Sequence, residues 1–362
     1  MSIGIGIIGL GWISQKIHLP FFTNNSDIDF VGVFDIDDFK VNEVKKNFKI
    51  NQVFNTYDSL IKCKKINIVV IATPNHLHQT QINEAIINNK YVFSEKPLCI
   101  NGLELENLKA LESHLGNLFP LLPSRYTQEV NKVKELIGTI GDIYKVKGTW
   151  NRGNGIPTSS WFTNKNKSGG GVLIDLGSHI IDVIFYLLDF PDILNSNSFL
   201  SNNFLNQNEK KANWHESNTD KKNTRISDSV EDNAQVFLKS RDMSIYIDLS
   251  WASVRKYDES TFEIHGTKGS IIMKTLFGFS RNRYLDNSTI VYEVDQKEEI
   301  VIQMKNNNPS SYYFEMLENN LAKVKRKESN IDYVKNAFKT IDIIDRLYTN
   351  QNLGINEEVY YV

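Results

Sequence analysis

From Met1 to about Leu122, short β-branched runs alternate with stretches of helical pattern, the order expected of βαβ units feeding a parallel sheet. The pattern predicts strands at Ile3 to Ile8, Phe30 to Phe34, Ile68 to Ala72, Tyr91 to Ser94 and Asn117 to Leu122. After Pro123 the period changes. A helix over Gln128 to Ile137 leads through a Gly138 to Gly141 turn into an alternating strand, Ile143 to Trp150. Further strands are expected at Asn233 to Lys239, Met243 to Trp251, Thr261 to His265 and Ser270 to Lys274, and their hairpin-like succession predicts a second, largely antiparallel sheet. Between Asn195 and Asp228 the chain turns to Asn, Ser, Lys and Asp, a solvated excursion with room for one edge strand rather than a linker, since strands of the same sheet resume near Val230. Val334, Phe338, Ile341, Ile344 and Leu347 recur at helical spacing.

These elements give an α/β protein. A Rossmann, doubly wound parallel sheet occupies 1–122. A C-terminal α+β domain with a large, open, mostly antiparallel sheet occupies 123–362, and its final helix, about 331–347, is expected to pack back on the first domain. The length of 362 residues agrees with two cores rather than one.

Charge narrows the partners. Basic and acidic residues number 41 and 43, so no global positive field exists for nucleic acid or an anionic membrane, and a small-molecule partner is favoured. Cys63 and Cys99 are too few for a disulfide framework or a structural zinc site. The first residues read as a strand rather than a leader peptide, and no apolar run reaches membrane-spanning length, so a cytoplasmic protein is expected.

Gly9-Leu10-Gly11-Trp12-Ile13-Ser14 follows the first strand and opens a helical stretch, the setting of a dinucleotide-binding turn. Gly9 would permit the tight turn and Gly11 the approach of a pyrophosphate to a helix N-terminus. Ser14 stands where a third glycine is usual, and alone the pair equally suits an ordinary strand-to-helix turn. Asp35 shifts the balance. It ends the second strand 24 positions past Gly11, where a carboxylate would accept ribose hydroxyls and repel a 2′-phosphate. Ile36 adds no cation, so NAD is expected over NADP. Thr73-Pro74-Asn75 ends a third strand at the cofactor edge, where Asn75 could simply cap the following helix. His76 and His78 diverge around the helix axis, cannot chelate one metal and read as structural or surface residues.

Ser94-Glu95-Lys96-Pro97 leaves the sheet at the same edge, and Lys96 could stabilise developing charge on a substrate oxygen, the plainer alternative being a solvated lysine. Ser168-Gly169-Gly170-Gly171 runs into a helical segment that places Asp175 and His179 at i,i+4. A carboxylate beside an imidazole suits coupled hydride and proton transfer, with His179 as proton acceptor and Asp182 as a further orienting or helix-stabilising acid. A local ion pair is the plainer reading, and without a third ligand no metal is expected.

Taken together, Gly9-Leu10-Gly11, Thr73-Pro74-Asn75 with His78, Glu95-Lys96-Pro97, and Gly169-Gly170-Gly171 leading to Asp175-x-x-x-His179 resemble the Gfo/Idh/MocA family of glucose-fructose oxidoreductase and inositol dehydrogenase. The resemblance spans Ile3 to Leu188 and reaches more weakly to Glu231-Asp232-Asn233 and the His265 to Ser270 stretch. It implies an NAD(P)-dependent enzyme acting on CH–OH of a sugar or cyclic polyol, commonly a homodimer or homotetramer. It implies a catalytic set of Lys96, Asp175 and His179. Gly9, Gly11, Trp12, Ile13, Asp35, Thr73, Pro74, Asn75, His78, Glu95 and Lys96 would hold the cofactor. Arg125 with Tyr126, Trp150-Asn151-Arg152 and Trp161 would line the substrate pocket beside Lys96, Asp175 and His179. Trp214 and His215, in the long excursion, are candidates for the pocket mouth. Two other readings remain open: a redox-neutral enzyme that keeps its NAD through glycoside cleavage or internal oxidoreduction, and a non-catalytic dinucleotide or sugar sensor.

Overall fold

The computed structural model describes residues 3–212 and 230–353 except 281, 285, 296 and 298, so Trp214 and His215 lie outside the described residues. The chain forms two units: Met1–Pro123 with Ser310–Phe338, and Ser124–Pro309 with Lys339–Val362. Ser310–Phe338 thus groups with the first unit, and the stretches on either side of it with the second. The helix Pro309–Arg326 buries Tyr313, Met316, Leu317, Leu321 and Val324, and Phe314 meets Phe21 at 5.4 Å between ring centroids.

The first unit holds β1 (Ile3–Ile8), β2 (Ile28–Phe34), β3 (Gln52–Val53), β4 (Ile68–Ile71), β5 (Tyr91–Ser94) and β6 (Leu118–Pro120). All pair in parallel, in the order β3-β2-β1-β4-β5-β6. Every residue of β1 and β4 is buried, as a sheet covered on both faces requires. The order reverses between β1 and β4, which opens a crevice beyond their carboxyl ends.

The second unit holds β7 (Ile143–Asn151), β8 (Asn195–Ser201), β9 (Asn233–Lys239), β10 (Ser244–Ser250), β11 (Glu259–Gly266), β12 (Gly269–Thr275), β13 (Asn287–Val294) and β14 (Ile300–Lys305). Their order is β14-β13-β12-β11-β7-β10-β9-β8, antiparallel throughout save the β7–β10 pair. The excursion expected from Asn195 opens as the edge strand β8, paired with β9. On β9, Ala234, Val236 and Leu238 point into the core while Phe237 faces out. The helix Gly177–Leu187 lies on the core face, close enough that a Cβ on Gly148 would sit 2.8 Å from Ile184. Among the described residues no single helix is long and apolar enough to cross a membrane.

Candidate active site

In the first unit the chain leaves β1 through Gly9 at φ 91°, and a Cβ there would lie 2.5 Å from the Ala72 carbonyl, so only glycine fits. A Cβ on Gly11 would meet nothing within 4 Å; that side of the turn is open, with room for a pyrophosphate. Trp12 and Ile13 follow, half-buried. Ser14, in place of a third glycine, donates its hydroxyl to the Gly9 carbonyl at 2.6 Å. It opens a π-helical segment, Ser14–His18, closed by the Leu19 N–H donating to the Ser14 carbonyl. The next residue, Pro20, has no N–H to continue an α-helical ladder.

Asp35 Oδ2 accepts from the Leu10 N–H at 2.6 Å and Oδ1 from the Asp37 N–H at 2.9 Å. One carboxylate therefore ties the end of β2 to the glycine turn, with lone pairs left for ribose hydroxyls. Asp37 and Asp38 add negative charge, Lys40 is engaged with Asp37 at 3.7 Å, and Ile36 is exposed. This donor set fits a dinucleotide.

Asn75 lies two residues before the N-cap position of the helix that follows. It begins a short 3-10 turn, Asn75–Leu77, and Leu77 holds the N-cap position of the helix His78–Ile87. Beside it, Thr73 donates its hydroxyl to Gln81 at 2.7 Å. The buried His78 ring has Nδ1 2.7 Å from the Pro97 carbonyl and Nε2 2.7 Å from the Thr73 carbonyl. A neutral imidazole has one N–H, so both contacts are hydrogen bonds only in the imidazolium. Burial, the largest influence, pushes the His78 pKa down, against the pull of the two carbonyls and Glu95. Either way the ring braces the Thr73 and Pro97 loops against each other. Glu95 Oε1 meets His18 Nε2 at 2.9 Å, both buried. Lys96 follows, half-buried.

In the second unit the glycine run is fastened from outside. The Glu231 carboxylate accepts from the N–H groups of Gly171 (3.0 and 3.1 Å) and Leu173 (2.9 Å), and the Tyr348 hydroxyl donates to it at 2.8 Å while accepting from Ile174 N–H at 3.2 Å. Burial pushes the Glu231 carboxyl up and the Tyr348 hydroxyl well up. A Cβ on Gly171 would stand 1.9 Å from the Glu231 carbonyl, which explains the glycine.

The helix expected to carry Asp175 and His179 without a break bends by 46° between Asp175 and Gly177. Ser178 donates its hydroxyl back to the Ile174 carbonyl, a bond that bends helices, and the His179 N–H reaches Leu176 instead of Asp175. The two side chains are gripped by other segments. Trp251 Nε1 donates to Asp175 Oδ2 at 2.9 Å, and Ser124 Oγ lies 3.2 Å from His179 Nδ1. Trp150 packs on the His179 ring at 5.7 Å between centroids, and the buried Arg152 guanidinium sits 4.8 Å over the Trp150 ring. Burial lowers the Arg152 pKa, while the charges of Asp175 and Asp258 raise it.

Arg125 is held in a buried ion pair with Asp182. Its Nε and Nη2 donate to the two oxygens of Asp182 at 2.8 and 2.6 Å, both residues buried, with the Tyr186 and Phe190 rings against the guanidinium. Trp161 stacks on Phe162 at 3.9 Å. Among the described residues no three His, Cys, Asp or Glu side chains are grouped to hold a metal ion. No sequence motif marks Ser124, Trp251, Tyr348 or His18, and the Glu231-Asp232-Asn233 motif assigns Glu231 no role.

Residues 3–121 match the oxidoreductase family with an NAD-binding Rossmann fold, and residues 130–272 match the GFO/IDH/MocA C-terminal domain. An oxidoreductase subunit assigned to UDP-kanosamine synthesis in Amycolatopsis mediterranei is 31% identical over 290 residues, 78% of each chain. The structure of a levoglucosan dehydrogenase in complex with NADH and levoglucosan superposes with TM-score 0.78 at 19% identity, covering 98% of both chains. A 3-ketoreductase from Actinomadura kijaniata in complex with NADP and TDP-benzene gives 0.76 at 16%, covering 96% of this chain and 98% of the other. At these identities the two structures share the fold.

Proposed function

Because the chain belongs to the Gfo/Idh/MocA oxidoreductases, a family of NAD(P)-dependent enzymes acting on sugar-like substrates, we propose that it is an NAD-dependent dehydrogenase of a sugar hydroxyl carbon, with His179 and Lys96 handling the hydroxyl proton. The hydrogen bond between Ser124 and His179 carries this reading. With Nδ1–H donating to Ser124 Oγ, the lone pair lies on Nε2, which takes the hydroxyl proton. The Lys96 ammonium donates to the same oxygen and stabilises its developing negative charge. Trp251 fixes the Asp175 carboxylate, whose charge favours the imidazolium formed. When bound, the nicotinamide supplies the hydride acceptor. The acids at 35, 37 and 38 support NAD over NADP, since a 2′-phosphate would meet their charge. Two relatives are named for a UDP-sugar and a TDP ligand, which favours a nucleotide-linked sugar among the substrates. The outward face of the second sheet, with Phe199, Phe237 and Tyr246 exposed, is the surface we assign to self-association.

NADH absorbance across free sugars, inositols, sugar phosphates and nucleotide sugars tests the reading. NADH formation should fall about 10²- to 10⁴-fold in Lys96→Ala and His179→Ala, with NAD binding retained in His179→Ala. Cofactor binding without NADH from any substrate would instead support the redox-neutral or sensor reading.

A further inference from the structure

β7 delivers Trp150, Asn151 and Arg152 at one end of the second sheet, and Asn151 pairs with Glu259, the first residue of β11. At that same end, between the start of β11, the ends of β12 and β14 and the start of β13, lies a cavity of about 340 Å³. None of the sugar-handling residues above uses it. Of its charged lining, Arg255 is engaged with Glu259 at 3.1 Å. The buried Asp258 carboxylate accepts from Gly153 N–H (2.9 Å), Ser280 Oγ (2.6 Å) and Asn282 Nδ2 (3.3 Å). Lys256, Lys274 and Arg283 form no ion pair with a described residue, so three positive charges converge in a chain whose net charge is −2. A bare sugar carries no negative charge to match it. A diphosphate does, with the Arg283 fork and the two ammonium groups as donors.

Aromatic faces stand beside the cations. Tyr257 and Tyr284 meet at 5.4 Å between centroids, Tyr284 is 75% exposed, and Lys256 lies 5.0 Å over the Tyr257 ring. An aromatic side chain held out beside cations is the arrangement on which a nucleobase stacks. One lining residue links the cavity to the sugar-handling residues. Asp258 lines the cavity, holds the Gly153 backbone and faces Arg152 with its charge. A Cβ on Gly278 would touch Trp150 at 3.3 Å and the Arg152 guanidinium at 3.7 Å. Resting on the dehydrogenase reading, we infer that this cavity holds the nucleoside diphosphate group of a nucleotide-linked sugar, whose sugar ring reaches Arg152 and His179.

Binding, measured apart from turnover, tests it. Titration of the NAD-loaded chain with UDP should saturate, and Arg283→Ala and Tyr284→Ala should each weaken it about tenfold. Unchanged NAD titration reports that both variants fold. Inorganic pyrophosphate and uridine should each bind more weakly than UDP. Absent UDP binding, binding indifferent to both variants, or pyrophosphate equal to UDP would overturn the assignment. NADH formation from free sugars without UDP binding would sink the cavity's role and leave the dehydrogenase standing. UDP binding lost in the variants, with no sugar oxidised, would support the cavity and sink the dehydrogenase.

Discussion

Removing the Arg125 guanidinium would strand the Asp182 carboxylate, 1% exposed, with Thr340 Oγ1 at 3.4 Å as its remaining side-chain donor among the described residues. Breaking such a pair from one side costs about 3–5 kcal/mol, so Arg125→Ala should melt well below the parent, and Arg125→Lys, lacking the second donor of the fork, should fall between them. A calorimetric scan of the three proteins checks the order; an Arg125→Ala melting point equal to the parent's would mean that the pair adds nothing to stability. Residues of this kind explain what could be read ahead of the structure. The spacing of Asp175 and His179 was visible, because three intervening residues on a helical pattern imply neighbourhood. Their partners were not: Ser124 lies 55 positions from His179 and Trp251 76 positions from Asp175, and no local period reports such distances.

The fastening of the glycine run to β9's approach and to the final helix makes a pH prediction at the level of elements. A carboxyl whose pKa is raised on folding is protonated in the folded chain before it is protonated in the unfolded one. Its contribution to stability is therefore largest at acid pH and declines as pH rises from the ordinary carboxylate range through the folded pKa. Thermal melts from acid to neutral pH should show the parent losing stability relative to Glu231→Gln as pH rises; parallel curves would mean that Glu231 titrates alike in both states. The same element shows why β8 was harder to read than β1. β1 is Ile-rich and buried throughout, so composition alone announces it. β8 turns the small polar Ser196 and Ser198 inward, and the residues that satisfy it are Asn350, donating to the Ser196 carbonyl at 2.8 Å, and Leu347, whose carbonyl accepts from Ser198 at 2.9 Å. β13, β14 and the helix Pro309–Arg326 lie among Asn, Asp, Lys and Ser residues that mask their alternation, and β3, at two residues, has no period to find.

For the whole molecule, the position of Leu317 in the first unit means that a core contact of the dinucleotide-binding fold is encoded far beyond its last strand. Leu317→Ala should cost about 2–5 kcal/mol and lower the temperature at which bound NAD is released, followed by cofactor fluorescence. Unchanged release would place the Ser310–Phe338 stretch outside the cooperative unit that holds the cofactor.

The interrupted path of the chain also bears on its birth. A ribosome that has just completed β6 has made six strands of the first unit and still lacks Ser310–Phe338; the second unit in turn draws Ile343, Ile344 and Leu347 into its core from beyond them. From residue 123 to residue 338 is 215 residues, roughly 10–40 s of synthesis at about 5–20 residues per second. For most of that interval Phe21 waits for Phe314, and a nascent chain stalled anywhere before the final helix has completed neither half. A product truncated before Ser310 is expected to leave Phe21 without Phe314 and the first unit without its last helix, the kind of exposed apolar surface that makes unfinished chains prone to aggregation.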